Sequence, residues 1–358
     1  MAATWLVALV LSAPLTVRVL ERQKPRQVRL HATSVRCDDE ALGAAVELQV
    51  DGTQLRAGAK ACRVVTTQGP STTVTVEGQP PRTYSGTLTA VLEGAVVKLL
   101  NDVELETYLP SVVTAEAAGS PPAALEAQAV VSRTFARTAT RRHHLAGYDV
   151  CDLAHCQVYR GADGVDAAAA RAVEKTRGQV LLVGGMSLKP AFFHAACGGH
   201  TSAPTDVFGV DGAGTGARDT DAAGPLCRGM ADFTWSWTVE RTALAEALGA
   251  KPVGTAFEAL RRDAGGRVLE VRSFAQRFSG DAFAAKVGRA FGYHSLRSLK
   301  VRAEEVEGAV RFSGSGVGHG VGLCQQGAKT LAAGGADAKS ILQRYFPDAR
   351  VGVLDAAP

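Results

Sequence analysis

The stretch that decides the fold reads NDVELETYLPSVVTAEAAGSPPAALEAQAVVSRTFA, residues 101–136. Leu105, Leu109, Val112 and Val113 recur at three- and four-residue intervals, the period of a helix that buries one face. Gly119 stops that pattern, and Ser120 followed by Pro121 supplies an N-cap and a first-turn proline for a second helix. This second helix is expected from about residue 121 to 142, with Ala124, Ala127, Val131 and Phe135 on one face. The two helices meet at a tight corner.

Upstream the period changes. From residue 15 to about 100, short Val- and Thr-rich runs are broken by Gly, Pro and Asp, and Thr83, Ser85, Thr87 and Thr89 alternate with Tyr84, Gly86, Leu88 and Ala90. Downstream come a Gly-, Cys- and His-bearing stretch (147–161), a short helix near 167–175, strands around 179–183 and 191–194, and a long loop over 203–232. Helical and strand-like segments follow to about 310, then a glycine-rich turn over 313–322 and a last helix from about Gln325. The fold class expected is α+β. A β-rich N-terminal unit (15–100) leads into a helical catalytic region (101–202), then a loop-rich insertion or accessory region (203–310). A C-terminal glycine-rich loop and helix (311–358) returns to complete the cleft.

With 358 residues the chain has room for two or three domains or one large composite. Hydrophobic residues make up 46% and charged residues 21%, which argues against a disordered or low-complexity chain. No apolar run reaches the length of a spanning helix. The net charge of +4 is spread along the chain without a basic block and only 6% of residues are aromatic, so nucleic acid is not the expected partner.

Residues 1–14 read as an export signal or anchor: an apolar segment over 5–11 precedes Ser12, Ala13 and Pro14. No Lys or Arg precedes that segment, and a buried N-terminal strand is the other reading. Residues 15–20 alternate as a first strand would. Seven cysteines point the same way as the signal, because disulfides belong to oxidising compartments. Cys37 can pair with Cys62 and Cys197 with Cys227, while the odd count leaves at least one thiol outside any internal disulfide. The expected location is exported, periplasmic or associated with the cell envelope.

Three constellations can carry chemistry. Glu116 lies in the last turn of the first helix on the face of Val112 and Val113; the negative helix end and apolar neighbours disfavour its ionised form, as a general acid requires. The bland reading is an exposed glutamate at a fraying helix end. His144, Cys151, His155 and Cys156 offer two imidazoles and two thiolates around a glycine turn, which suits a closed tetrahedral zinc site, with a Cys151–Cys156 disulfide as the alternative. The run Gly314 to Gly322 contains His319, a proton carrier or donor, and lets the backbone approach a ligand; a flexible surface loop is the alternative. The stretch from His194 to Thr201, with Cys197 and His200, reads as a second metal or nucleophilic site or, more simply, as a strand end and turn that supplies polar groups to a cleft. Neither a Gly-x-Ser-x-Gly elbow nor a paired-histidine helix motif occurs, which argues against serine hydrolases and zinc proteases.

The run from Asn101 through Glu116, then Pro122, Ala124-Leu125, Gln128-Ala129 and Arg133-Thr134-Phe135-Ala136, resembles the stage II sporulation protein D family. Residues 151–159, residues 193–201, and the closing Gly318-His319-Gly320-Val321-Gly322 with Gln325 and Gly327-Ala328 continue the resemblance in order. It implies a peptidoglycan lytic transglycosylase with Glu116 as acid/base. The enzyme would cleave the bond between N-acetylmuramic acid and N-acetylglucosamine to leave 1,6-anhydro ends. It further implies glycan contacts from Gln128, Arg133, His200, Arg228, His319 and Gln325, and a structural zinc on His144, Cys151, His155 and Cys156. Relatives that act as amidase enhancers share these motifs, so the partners implied are glycan strands and a cell-wall amidase. Cys324 and Gln326 depart from the Ser and Tyr of many relatives, and Leu226-Cys227-Arg228 from a Tyr-Leu-Lys or Tyr-Leu-Arg run.

Overall fold

The computed structural model describes residues 14–140 and 142–354; residues 5–11, read above as part of an export signal, lie outside the described residues. The fold is α+β, and the chain divides into two compact units. The first comprises residues 1–118, 136–179 and 353–358, and the second residues 119–135 and 180–352.

An eleven-stranded sheet dominates the first unit. Leu15–Val19 alternates buried and half-buried residues and pairs antiparallel with Val96–Val103 on one side. On its other side it pairs parallel with Val150–Cys151, which brings Cys151 to the sheet margin opposite Arg18. The alternation over 83–90 is real but divided between two strands, Arg82–Ser85 and Thr87–Glu93. Gly86 separates them because it adopts φ +80° and a Cβ there would lie 2.2 Å from the Asp102 carbonyl oxygen. Cys37 and Cys62, at the ends of Gln27–Cys37 and Lys60–Cys62, form a disulfide.

Helix α1, Leu105–Ala117, buries Leu109, Val112 and Val113 as its period selects, while Leu105 is only half-buried and Tyr108 joins the buried face. Helix α2, Pro122–Ala139, starts one residue after the expected proline and contributes residues 122–135 to the second unit. Helix α3, Ala167–Lys175, packs on α1. Asp166 caps α3 by accepting the Ala168 N–H at 2.7 Å, and its own N–H donates to Thr114 Oγ1 at 3.0 Å, so the cap is tied to α1.

The second unit holds two apolar cores. One gathers Ala124, Ala127, Val130 and Val131 of α2 with Leu181, Leu323, Ile341 and Phe346. Besides its part of α2, the helices of this unit are α4, Pro204–Phe208, α5, Arg241–Leu248, α6, Gly280–Phe291, α7, Gln325–Ala333, and α8, Ala338–Tyr345, and the last two belong to this first core. The other lies within residues 235–312 and is built on Trp235, Leu244, Val268, Phe283, Val310 and Phe312. Residues 203–232 are mostly irregular, as expected, with a five-residue helix at Pro204–Phe208 and a two-residue hairpin at Thr220–Asp221 and Gly224–Pro225.

The glycine-rich return is a packed element rather than a flexible loop. Gly316, Gly318, Gly320 and Gly322 all have positive φ, between 74° and 96°. A Cβ at Gly322 would meet the Phe192 carbonyl oxygen at 2.1 Å, and one at Gly320 the Arg267 guanidinium at 2.0 Å. The close approach that these glycines permit is to the chain's own backbone and to a buried arginine.

Candidate functional site

In the first unit, Glu116 occupies the last turn of α1 and is half-buried. Its Oε1 accepts the Val158 N–H at 2.8 Å. This contact is one of several by which the segment 157–160 is laid along α1. Tyr108 Oη donates to Gln157 Oε1 at 3.2 Å, and the Arg160 N–H donates to Ser111 Oγ at 3.1 Å. Tyr159 is buried against Tyr108, their rings 4.8 Å apart, and its hydroxyl donates to Asn101 Oδ1 at 3.0 Å. Burial holds the Tyr108 and Tyr159 hydroxyls protonated, their pKa values pushed above the ordinary phenol range. The carboxylate is thus oriented by a backbone donor. Such a donor stabilises the ionised form, a contribution that the spacing of α1 does not reveal.

Directly before that segment stands a set of four donors: His143, Cys151, His155 and Cys156, whose ligand atoms lie within 4.8 Å of one another. His143 Nε2 is 3.3 Å from Cys156 Sγ, and His155 Nδ1 is 3.3 Å from Cys151 Sγ and 3.5 Å from Cys156 Sγ. For a tetrahedral ion with Zn–S near 2.3 Å and Zn–N near 2.05 Å, the S···N edge is about 3.6 Å, so this set fits. The expected ligand His144 is replaced here by its neighbour. His143 bridges Tyr148 through the backbone and stacks on its ring at 4.8 Å, whereas His144 opens the one-turn helix His144–Ala146 and is exposed. Cys151 and Cys156 are not joined as a disulfide.

The other expected residues lie in the second unit. Gln128 and Arg133 are on α2 and fully buried; Gln128 donates to Ser132 Oγ at 3.0 Å and accepts from Gln325 Nε2 at 3.4 Å. The structure therefore brings Gln128 and Gln325 together. His200 is half-buried, with its Nδ1 2.6 Å from the Thr201 carbonyl, and Arg228 is exposed and paired with Asp221 at 3.1 Å.

His319 is half-buried among Phe192, Phe208 and His194. Its Nδ1 accepts the Val321 N–H at 3.1 Å, which assigns the proton of the neutral ring to Nε2. Burial, with Arg267 nearby, pushes its pKa down to about 4. The neutral ring of His319 is therefore favoured at pH 7. His194, fully enclosed, is likewise held neutral by burial and the neighbouring His319, with its Nδ1 3.0 Å from the Val321 carbonyl.

Three features of these clusters and of the Glu116 contact lie outside the sequence expectations. His143 was one position away from the residue chosen, and the stacking that selects it involves Tyr148. Val158 acts through its backbone, which no side-chain motif advertises. Asp219 sits in a Gly- and Asp-rich stretch with nothing local to mark it, yet it meets three cysteines from distant parts of the chain.

Comparison with known proteins adds two findings. The family model described as SpoIID, stage II sporulation protein, matches residues 93–182. This segment contains α1, Glu116, α2, the His/Cys cluster and α3. An uncharacterized protein of Brachyspira hyodysenteriae is 26% identical over 269 residues, which span 74% of this chain and 70% of that relative.

Proposed function

Since this chain belongs through residues 93–182 to the SpoIID family of cell-wall-related sporulation proteins, we propose that it is a peptidoglycan lytic transglycosylase with Glu116 as its acid/base. The observation that carries the reading is a half-buried carboxylate at the end of α1, oriented by the Val158 N–H at 2.8 Å within the matched segment. In its acid form Glu116 donates a proton to the glycosidic oxygen between N-acetylmuramic acid and N-acetylglucosamine as the C1–O bond breaks. The resulting carboxylate then takes the proton of the muramoyl C6 hydroxyl as that oxygen bonds to C1, closing the 1,6-anhydro ring. One carboxylate serves both steps because the nucleophile is a hydroxyl of the substrate and no second group has to activate water.

His143, Cys151, His155 and Cys156 would hold a structural zinc, since four protein donors leave no open position for catalysis. Cys156 precedes Val158 by two residues, so the cluster fixes the start of the segment that orients Glu116. His200, Arg228, His319 and Gln325 keep exposed surface and remain the proposed glycan-binding set, whereas Gln128 and Arg133, expected as contacts, are buried in α2 and would act only by positioning Gln325 and its neighbours. Among them, Arg228 is the exposed cation suited to an anionic strand. The Cys37–Cys62 disulfide supports an exported, periplasmic or envelope location.

A second reading is a non-catalytic wall-binding enhancer of an amidase, since relatives of that kind share the same motifs. Peptide-free glycan strands separate the two. Anhydromuramyl products from the parent and none from a folded, strand-binding Glu116→Gln variant support the enzyme. Binding without products from either supports the enhancer.

A further inference from the structure

The second unit contains a group of thiols that the proposed reaction does not use. Cys197, Cys227 and Cys324 converge with Asp219, all four buried, and one ligand atom from each lies within 4.8 Å of the rest. We infer that these four residues form a second, closed zinc site, distinct from the His143, Cys151, His155 and Cys156 set.

Three lines of geometry carry this. The first is spacing: Cys197 Sγ and Cys227 Sγ are 3.8 Å apart, and none of the three cysteines is in a disulfide. Two thiolates on a tetrahedral zinc with Zn–S bonds of about 2.3 Å are separated by about 3.8 Å, whereas a disulfide needs about 2.05 Å. Asp219 Oδ2 lies 3.1 Å from Cys197 Sγ, close to the S···O edge of about 3.5 Å for the same ion.

The second is the outer shell. Metal-bound thiolates accept backbone N–H groups, and ligating carboxylates are themselves held by hydrogen bonds. Here the Gly199 N–H points at Cys197 Sγ at 3.2 Å, across the Cys197-Gly198-Gly199 turn in which both glycines have positive φ. The Cys197 N–H and the Gly327 N–H point at Cys324 Sγ at 3.3 and 3.4 Å, and Cys324 is the N-cap of α7, where a helix favours negative charge. Tyr345 Oη donates to Asp219 Oδ1 at 2.8 Å and leaves Oδ2 toward the sulfurs. A side chain at Gly327 would collide with Tyr345 Oη at 2.1 Å and Asp219 Oδ2 at 2.6 Å, so the close approach depends on glycine.

The third is charge. Three thiolates, one carboxylate and Zn²⁺ carry a net charge of −2, and the surroundings supply cations. The buried Arg267 donates to the Cys197 carbonyl at 3.3 Å, Lys300 to the Gly198 carbonyl at 2.6 Å, and Arg344 lies 3.5 Å from Asp219 Oδ1. Three soft sulfurs select zinc over magnesium or calcium, and full burial with four protein ligands leaves it a structural ion.

The test is metal content of the full chain purified without chelator, compared with its Cys227→Ala variant. Loss of one zinc per chain in the variant, whatever the total in the parent, is the expected result. An unchanged zinc count in Cys227→Ala, or a Cys197–Cys227 disulfide in the non-reduced peptide map of the parent, would overturn the assignment. Should the variant fail to fold, X-ray absorption at the zinc edge of the parent decides. An average sulfur coordination above two per zinc is expected, because the first cluster offers only two thiolates; an average of two or fewer would overturn it.

Discussion

Glu116 is held in the last turn of α1 by a contact from the backbone of a distant segment, its Oε1 accepting the Val158 N–H at 2.8 Å. Two other residues make predictions at the same scale. Gly322 sits at φ +74° with the Phe192 carbonyl oxygen 2.1 Å from where a Cβ would be, and neither side of that contact is a flexible side chain. Gly322→Ala should lower unfolding free energy by about 2–4 kcal/mol, from the left-handed backbone and the forced displacement together. Urea denaturation checks it, and a loss under 1 kcal/mol would contradict the packing described. His319 has its pKa lowered from 6.5 to about 4, so between those values the unfolded chain binds the proton more readily than the folded one. Its contribution is therefore fully present above pH 6.5 and lost as the pH falls toward 4. Replacing it with glutamine should remove about 2–3 kcal/mol of the stability difference between pH 7.5 and 4.5. Identical pH dependence in parent and His319→Gln would show that the ring is not held neutral.

At the scale of elements, α1 and the segment 157–160 act as one piece, because Tyr108, Ser111 and Glu116 each hold a different residue of that segment. The His/Cys cluster stands at the N-terminal end of the segment and the capped start of α3 at the other. If the proposed zinc occupies this cluster, stripping it should loosen the donor to Glu116 before it unfolds the sheet. A chelator-treated sample should show faster amide exchange at Val158 and Arg160 than at Val97 or Leu99, together with reduced glycan cleavage restored by zinc. Uniform exchange across all four positions would separate the cluster from the orientation of Glu116. These elements also show how far sequence reading reaches. The period and stop of α1 are local properties, and α3 and the start of α7 stand where expected, whereas the one closing helix expected from Gln325 is divided into α7 and α8. The break at Gly86 was not legible, because its cause is the Asp102 carbonyl on another strand.

For the whole molecule, the division of labour between near and distant contacts explains what the chain conceals. A histidine and cysteine cluster contained within fourteen residues is visible as a motif, and only the choice between His143 and His144 needs the Tyr148 stack. Cys197, Asp219, Cys227 and Cys324 span more than a hundred residues, and no spacing rule joins them. The glycine run 314–322 was read as backbone prepared for a ligand, yet its glycines accommodate Phe192 and Arg267, because composition records a need for close approach without recording to what. The place of Glu116 at a helix end is legible because helix period and stop signal coincide within fifteen residues. The most direct measurement of the central claim is mass spectrometry of peptide-free glycan strands incubated with the parent protein and with Glu116→Gln. The account predicts 1,6-anhydromuramyl ends from the parent and a decrease of at least about 100-fold in the folded variant; equal product from both would contradict it.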